Sequence, residues 1–103
     1  MRIYISGPIT GVPGYYERFD GAARQIRRLG HTPVNPAWHP AGLNVREYMR
    51  MDLNDLIASD AVLMLPGWMD SGGALVERAL AQYLNMEIYY NPEQIPDQSE
   101  PEI

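Results

Sequence analysis

The spacing of apolar positions changes repeatedly along the chain, and each change marks the edge of an element. Arg2-Ile-Tyr-Ile-Ser6 is a short β-rich run and reads as a central strand. In the next stretch, Gly7 to Gly14, glycines and prolines forbid regular structure and expose backbone amides. From Tyr15 to Leu29 the apolar positions Tyr15, Phe19, Ala22, Ala23 and Ile26 recur at helical spacing, and Gly30 is a natural C-terminal stop. His31 to Pro36 reads as a short strand whose prolines place it at or near a sheet edge. After a loop over 36–43, Asn44-Val-Arg-Glu47 fits a capping box. The helix it opens runs to about Ala58, with Val45, Tyr48, Met49, Leu53 and Leu56 on its apolar face. Ala61 to Pro66 is continuous and apolar, as a buried strand is. Ser71 then caps a helix whose expected buried face is Val76, Ala79, Leu80, Tyr83 and Leu84. Met86 to Tyr90 reads as the last strand. Beyond it the chain is acidic, proline-containing and aperiodic, so residues 1–92 form the expected domain and 93–103 a disordered or loosely attached tail.

Strands and helices alternate throughout. That order predicts an α/β domain: a small Rossmann-like or flavodoxin-like parallel sheet of about four strands with helices on both faces. A chain of 103 residues supports one domain with a thin core, which gains from homo-oligomerising. Gly7 and Gly11 have the wrong spacing for a G-x-G-x-x-G fingerprint, so no dinucleotide cofactor is expected. The absence of cysteine excludes disulfides, thiolate zinc sites and a cysteine nucleophile, and fits a reducing cytoplasm. No His/Asp cluster has ligand spacing, so no metal is expected. A net charge of −5 without a basic block argues against nucleic-acid polymers, and Arg24, Arg27 and Arg28 read as the solvated face of a helix. No run approaches a membrane span, and the opening residues are too short for a signal peptide.

Two carboxylates stand out. Glu77 lies in the early turns of its helix beside the apolar stripe, where the helix macrodipole favours the ionised form. Gly72 and Gly73 before it let the backbone come close to a ligand. Asp52 falls between Tyr48, Met49 and Leu56 around its helix and so points inward; desolvation there raises a carboxyl pKa. Trp38 either packs beneath its loop or stacks on a flat ligand, and Tyr15 or Tyr16 face the same choice. His39 reads as a hydrogen-bonder within its loop, and Asp60 as a turn residue.

Three segments in this order, Tyr4-Ile-Ser-Gly-Pro8, Asp52-Leu-Asn-Asp-Leu-Ile-Ala-Ser-Asp60 and Ser71-Gly-Gly-Ala-Leu-Val-Glu77, resemble nucleoside 2-deoxyribosyltransferases and the related nucleotide N-glycosidases. The chain also looks like small phage-encoded members of that superfamily. The resemblance covers residue 2 to about 90. It implies cleavage or transfer at the N-glycosidic bond of a 2'-deoxynucleoside or its 5'-monophosphate, without a cofactor, by a homodimer or larger homo-oligomer. Glu77 matches the nucleophile, Asp52 the carboxylate that protonates or holds the leaving base, and Tyr4 the tyrosine that orients the nucleophile. Ser71 matches a serine near the sugar 5' end, and Gly7 a glycine that lets the base approach. Ser6, Pro8, Ile9, Gly72 and Gly73 complete the implied substrate contacts. Thr10 stands where the monophosphate-specific relatives carry an arginine, and Pro8 where they carry a serine. That departure implies a nucleoside substrate, or a phosphate held by another group. A non-catalytic nucleotide-binding or host-interaction module is the alternative reading.

Overall fold

The computed structural model describes residues 1–100. Strands β1 (Arg2–Ser6), β2 (Thr32–Val34), β3 (Ala61–Met64) and β4 (Glu87–Tyr89) alternate with helices α1 (Tyr15–Arg28), α2 (Val45–Ile57) and α3 (Gly72–Tyr83). The sheet order is β2-β1-β3-β4 and every pair is parallel, as the alternation predicts. The chain leaves β1 toward β2 and then returns to place β3 on its other side. That reversal opens a crevice at the carboxyl ends of β1 and β3, where ligands bind in sheets of this kind.

Period-two alternation divides the core. Ile3, Ile5 and Leu63 pack with Phe19, Ala22, Ala23 and Ile26 of α1 on one face. Tyr4, Val62 and Met64 pack with Leu56 of α2 and with Ala74 and Ala81 of α3 on the other. The capping box of α2 is present: the Glu47 amide donates to Asn44 Oδ1 at 2.9 Å, and the Asn44 amide donates to Glu47 Oε1 at 3.2 Å. The Ala74 amide donates to Ser71 Oγ at 3.3 Å and closes the start of α3.

Three expectations need correction. The buried face of α3 is Ala74, Glu77 and Ala81, with Leu80 half-buried; Val76, Ala79, Tyr83 and Leu84 are exposed. Two alanines let the helix backbone approach the sheet, and hydroxyls from β1 hold Glu77 inward, so the polar residue occupies the core side. Val45, the first residue of α2, is 74% exposed and does not belong to the buried face. The segment expected to be loose is docked over its described part. Ile95 is buried in the α1-side core, the Gln98 amide donates to Leu29 O at 2.7 Å, and His31 Nε2 lies 2.6 Å from Pro96 O. Gly30, at φ +87°, is required twice over: a Cβ there would lie 2.4 Å from Gln98 O. Residues 101–103 of the expected tail lie outside the described residues. No helix among the described residues is long and apolar enough to cross a membrane.

Candidate active site

Tyr4 and Ser6 are two apart on β1, so both face α3. There they meet one carboxylate. Tyr4 Oη donates to Glu77 Oε2 at 2.5 Å, and Ser6 Oγ donates to Glu77 Oε1 at 2.6 Å. Both carboxylate oxygens are therefore held, and Glu77 is only 5% exposed. Its pKa is raised from the ordinary carboxylate value, because burial outweighs the lowering by the hydrogen bonds from Ser6 and Tyr4. The macrodipole has little part in this, because Glu77 is the sixth residue of α3 and the dipole acts mainly within the first turn. Burial, then the neighbouring Glu77 charge, push the Tyr4 phenol well above its ordinary pKa. Tyr4 therefore stays protonated and remains a donor.

Asp52 faces the same cavity from α2. Its pKa rises from 3.8 to about 7, first through burial and then through the Glu77 charge, with His39 opposing. His39 Nε2 lies 2.9 Å from Asp55 Oδ2 and 3.5 Å from Asp52 Oδ1. These are ion-pair distances without hydrogen-bond geometry: His39 Nε2 and Asp52 Oδ1 are both buried with no hydrogen-bond partner. A buried acceptor in that state costs roughly 1–3 kcal/mol, which a ligand that bonds it recovers. Two carboxyl groups with pKa values displaced by different surroundings are the equipment of acid–base chemistry.

The cavity encloses about 1030 Å³ at the carboxyl edge of the sheet. Pro8, Ile9, Ser71, Gly72 and Gly73 line it together with Asp52 and Glu77, so the structure brings most of the expected site residues together. Tyr4 and Ser6 lie behind Glu77, fully buried, and reach the cavity only through it. Gly7 does not line it. A Cβ on Gly7 would lie 2.9 Å from Leu65 Cβ, so the glycine is needed where the first loop crosses the end of β3, not for a ligand. Trp38 is outside as well: its indole N–H donates to Asp20 Oδ1 at 3.3 Å, and the Arg27 guanidinium lies 5.4 Å over its ring. Tyr15 lines the cavity, and Tyr16 stacks on it at 4.1 Å without doing so.

Among the cavity's acidic and basic side chains, three were not read as site residues from sequence: His39, taken as a hydrogen-bonder within its loop, Arg18 and Asp70. His39 follows β2 and its sequence position gives no spacing relation to Asp52; the only signal was an imidazole in a loop at the carboxyl edge. Arg18 is in the first turns of α1, close to the crevice, and nothing in its spacing distinguishes it from the solvated arginines Arg24, Arg27 and Arg28 of the same helix.

A family described as "Domain of unknown function (DUF4406)" matches residues 1–90. No curated protein matches the sequence. Among solved structures, a 2-deoxyribosyltransferase from the psychrotolerant bacterium Bacillus psychrosaccharolyticus superposes with a TM-score of 0.67 at 18% identity, over 85% of this chain and 69% of that one. A 2-deoxyribosyltransferase from Leishmania mexicana gives 0.68 at 16% identity, over 84% of this chain and 61% of that one. This chain thus spans less than two thirds of the Leishmania protein. At such identities the likeness is one of fold, and it agrees with the observed parallel sheet.

Proposed function

The chain belongs to the DUF4406 family, and we propose that it cleaves or transfers at the N-glycosidic bond of a 2'-deoxynucleoside or its 5'-monophosphate. The observation that carries this reading is the buried Glu77 carboxylate, with one hydroxyl on each oxygen, in one cavity with a second carboxyl titrating near 7. The two structures of the same fold are 2-deoxyribosyltransferases, which supports the reaction class.

The chemistry follows from the two groups. Glu77, ionised, attacks the anomeric carbon, and the glycosidic electron pair leaves with the base. Asp52, protonated below about pH 7, gives its proton to the departing base. A glycosyl ester on Glu77 results. Water attacks that carbon, loses its proton to the Asp52 carboxylate and frees Glu77; a second base in place of water makes a new nucleoside. Tyr4 and Ser6 spread the charge of Glu77 before attack and accept it back when the ester opens. His39, beside Asp52 and Asp55, favours the charged form that Asp52 takes after giving up its proton. The exposed apolar side of α3, with Leu75, Val76 and Tyr83, supports the expected homo-oligomer.

The test is chromatography of protein incubated with each 2'-deoxynucleoside and its 5'-monophosphate, with and without a free second base. Release of free base supports the reading, and a new nucleoside made from the added base identifies transfer. No product from any of these, with a ligand still raising the melting temperature, would leave a binding module instead.

Ser6→Ala gives a finer check. A hydrogen bond to a charged group is worth about 1.5 kcal/mol, so the rate at pH 7 should fall roughly tenfold. Because that bond lowers the Glu77 pKa, its loss raises it. The acid limb of the kcat/KM profile should therefore move to higher pH, and Tyr4→Phe should move it the same way. A limb that stays in place in both variants would separate these hydroxyls from the ionisation of Glu77.

A further inference from the structure

On its α1 side the cavity abuts a second, shallower groove of about 480 Å³, and the two share Arg18 and Pro66. Arg18 Nη2 donates to Pro66 O at 2.7 Å, so the guanidinium stands on the ridge between them. Beyond that ridge the groove is lined by Arg24, Gln25 and Arg28, with Gly21 and Ala22 keeping the helix surface low between them. One carboxylate, Glu17, lines it as well, so the groove carries three guanidiniums against one acid. No carboxylate among the described residues lies within ion-pair distance of Arg18, Arg24 or Arg28. The chain has eight arginines, no lysine and a net charge of −5, so three unpaired guanidiniums in one groove are a local reversal of sign.

The charge is divided at the ridge. The cavity side carries Asp52, Asp70 and Glu77, which repel an anion and admit an uncharged nucleoside moiety. The groove side carries guanidiniums, whose planar donor sets match phosphate oxygens. From Arg18 to Arg28 is ten residues, about 15 Å along the helix, which accommodates more than one phosphate.

We propose that this groove binds the oligophosphate chain of a substrate, which extends the substrate class from the 2'-deoxynucleoside and its monophosphate to the di- and triphosphate. The inference rests on the reading of the larger cavity as the nucleoside site. A phosphate chain leaving the cavity across Pro66 meets Arg18 first and Gln25 and Arg24 next. A nucleic-acid strand is the poorer fit, because the basic surface is one short groove on an acidic protein of pI 4.8.

Isothermal titration of the wild-type protein and of an Arg24→Ser/Arg28→Ser double variant tests this. The ligands are a 2'-deoxynucleoside, its mono-, di- and triphosphate, inorganic tripolyphosphate, and a 5'-phosphorylated single-stranded oligonucleotide. Two charge-assisted contacts should make the triphosphate bind at least about tenfold more tightly than the nucleoside. Tripolyphosphate should compete with the triphosphate, and added salt should weaken both. In the double variant the ratio of triphosphate to nucleoside affinity should fall toward one. Both side chains are exposed, so the fold is not at risk, and circular dichroism verifies it. Equal affinity for nucleoside and triphosphate, a ratio unchanged in the variant, or tighter binding of the oligonucleotide overturns the proposal. The two readings fail separately. Tripolyphosphate binding through Arg24 and Arg28 without base release sinks the reaction and leaves the groove. Base release with the same kcat/KM for nucleoside and triphosphate sinks the groove alone.

Discussion

Glu77→Gln is expected to lower the rate of base release by about 10⁴-fold or more, the scale on which a lost nucleophile is felt. The amide has nearly the shape of the carboxylate, and its oxygen still accepts a hydrogen bond from one of the two hydroxyls. Its nitrogen faces the other hydroxyl, and Ser6 can turn to accept where it formerly donated. The fold should therefore survive, and removing a 5%-exposed charge should leave the melting temperature level or higher. What is lost is the ability to form an ester at the anomeric carbon. Acid-quenched wild-type protein should carry a mass increment of one sugar on Glu77, and the variant none. A second consequence separates this from a general disturbance. The Glu77 charge helps to raise the Asp52 pKa, so Asp52 in the variant should titrate at lower pH. Turnover within tenfold of wild type would remove Glu77 from the role of nucleophile.

How far the site could be read from sequence depends on which physical signal carried each residue. Tyr4 and Ser6 were implied as site residues by the resemblance alone; what joins them in the structure is strand alternation, which puts residues two apart on one face. Asp52 is legible because it interrupts an apolar face, and burial of a carboxylate has a cost that calls for a reason. The orientation of α3 was not legible. Counting apolar residues put Val76, Tyr83 and Leu84 inside, whereas the helix turns Glu77 inward, since two hydroxyls from β1 complement its charge and two alanines permit the approach. Periodicity ranks side chains by polarity, and polarity is the wrong measure where a polar group finds its partners inside. Ile95 escaped for a related reason: one apolar residue among prolines and acids has no period, yet it fills a place in the α1-side core. His39 and Arg18 were missed because their roles depend on what the fold brings beside them. Each belongs to a loop or helix start at the carboxyl edge, and their partners, Asp55 and the Pro66 carbonyl, are distant in sequence.

Asp52→Asn should stabilise the protein at neutral and alkaline pH while lowering turnover by about 10³-fold, the usual worth of a positioned acid. In the unfolded chain Asp52 titrates near 3.8, and in the folded protein near 7. Between those values the folded protein holds a proton that the unfolded chain has released. Stability conferred at low pH is therefore lost progressively as pH rises through that window, and above it the full cost of burying the charge remains. Asparagine resembles the protonated acid in shape and charge, so it changes little at pH 4. At pH 8 it removes the cost, about 2 kcal/mol once partial solvation is allowed for, or roughly 10 °C in melting temperature. The difference in melting temperature between variant and wild type should thus grow from pH 4 to pH 8 and then level off. Activity should be low throughout, because asparagine has no proton to give to a leaving base. A uniform difference at all pH values would mean that Asp52 is an ordinary ionised surface carboxylate. A stabilised variant without activity would mean that the fold keeps an unfavourable buried acid at this place because the reaction requires it.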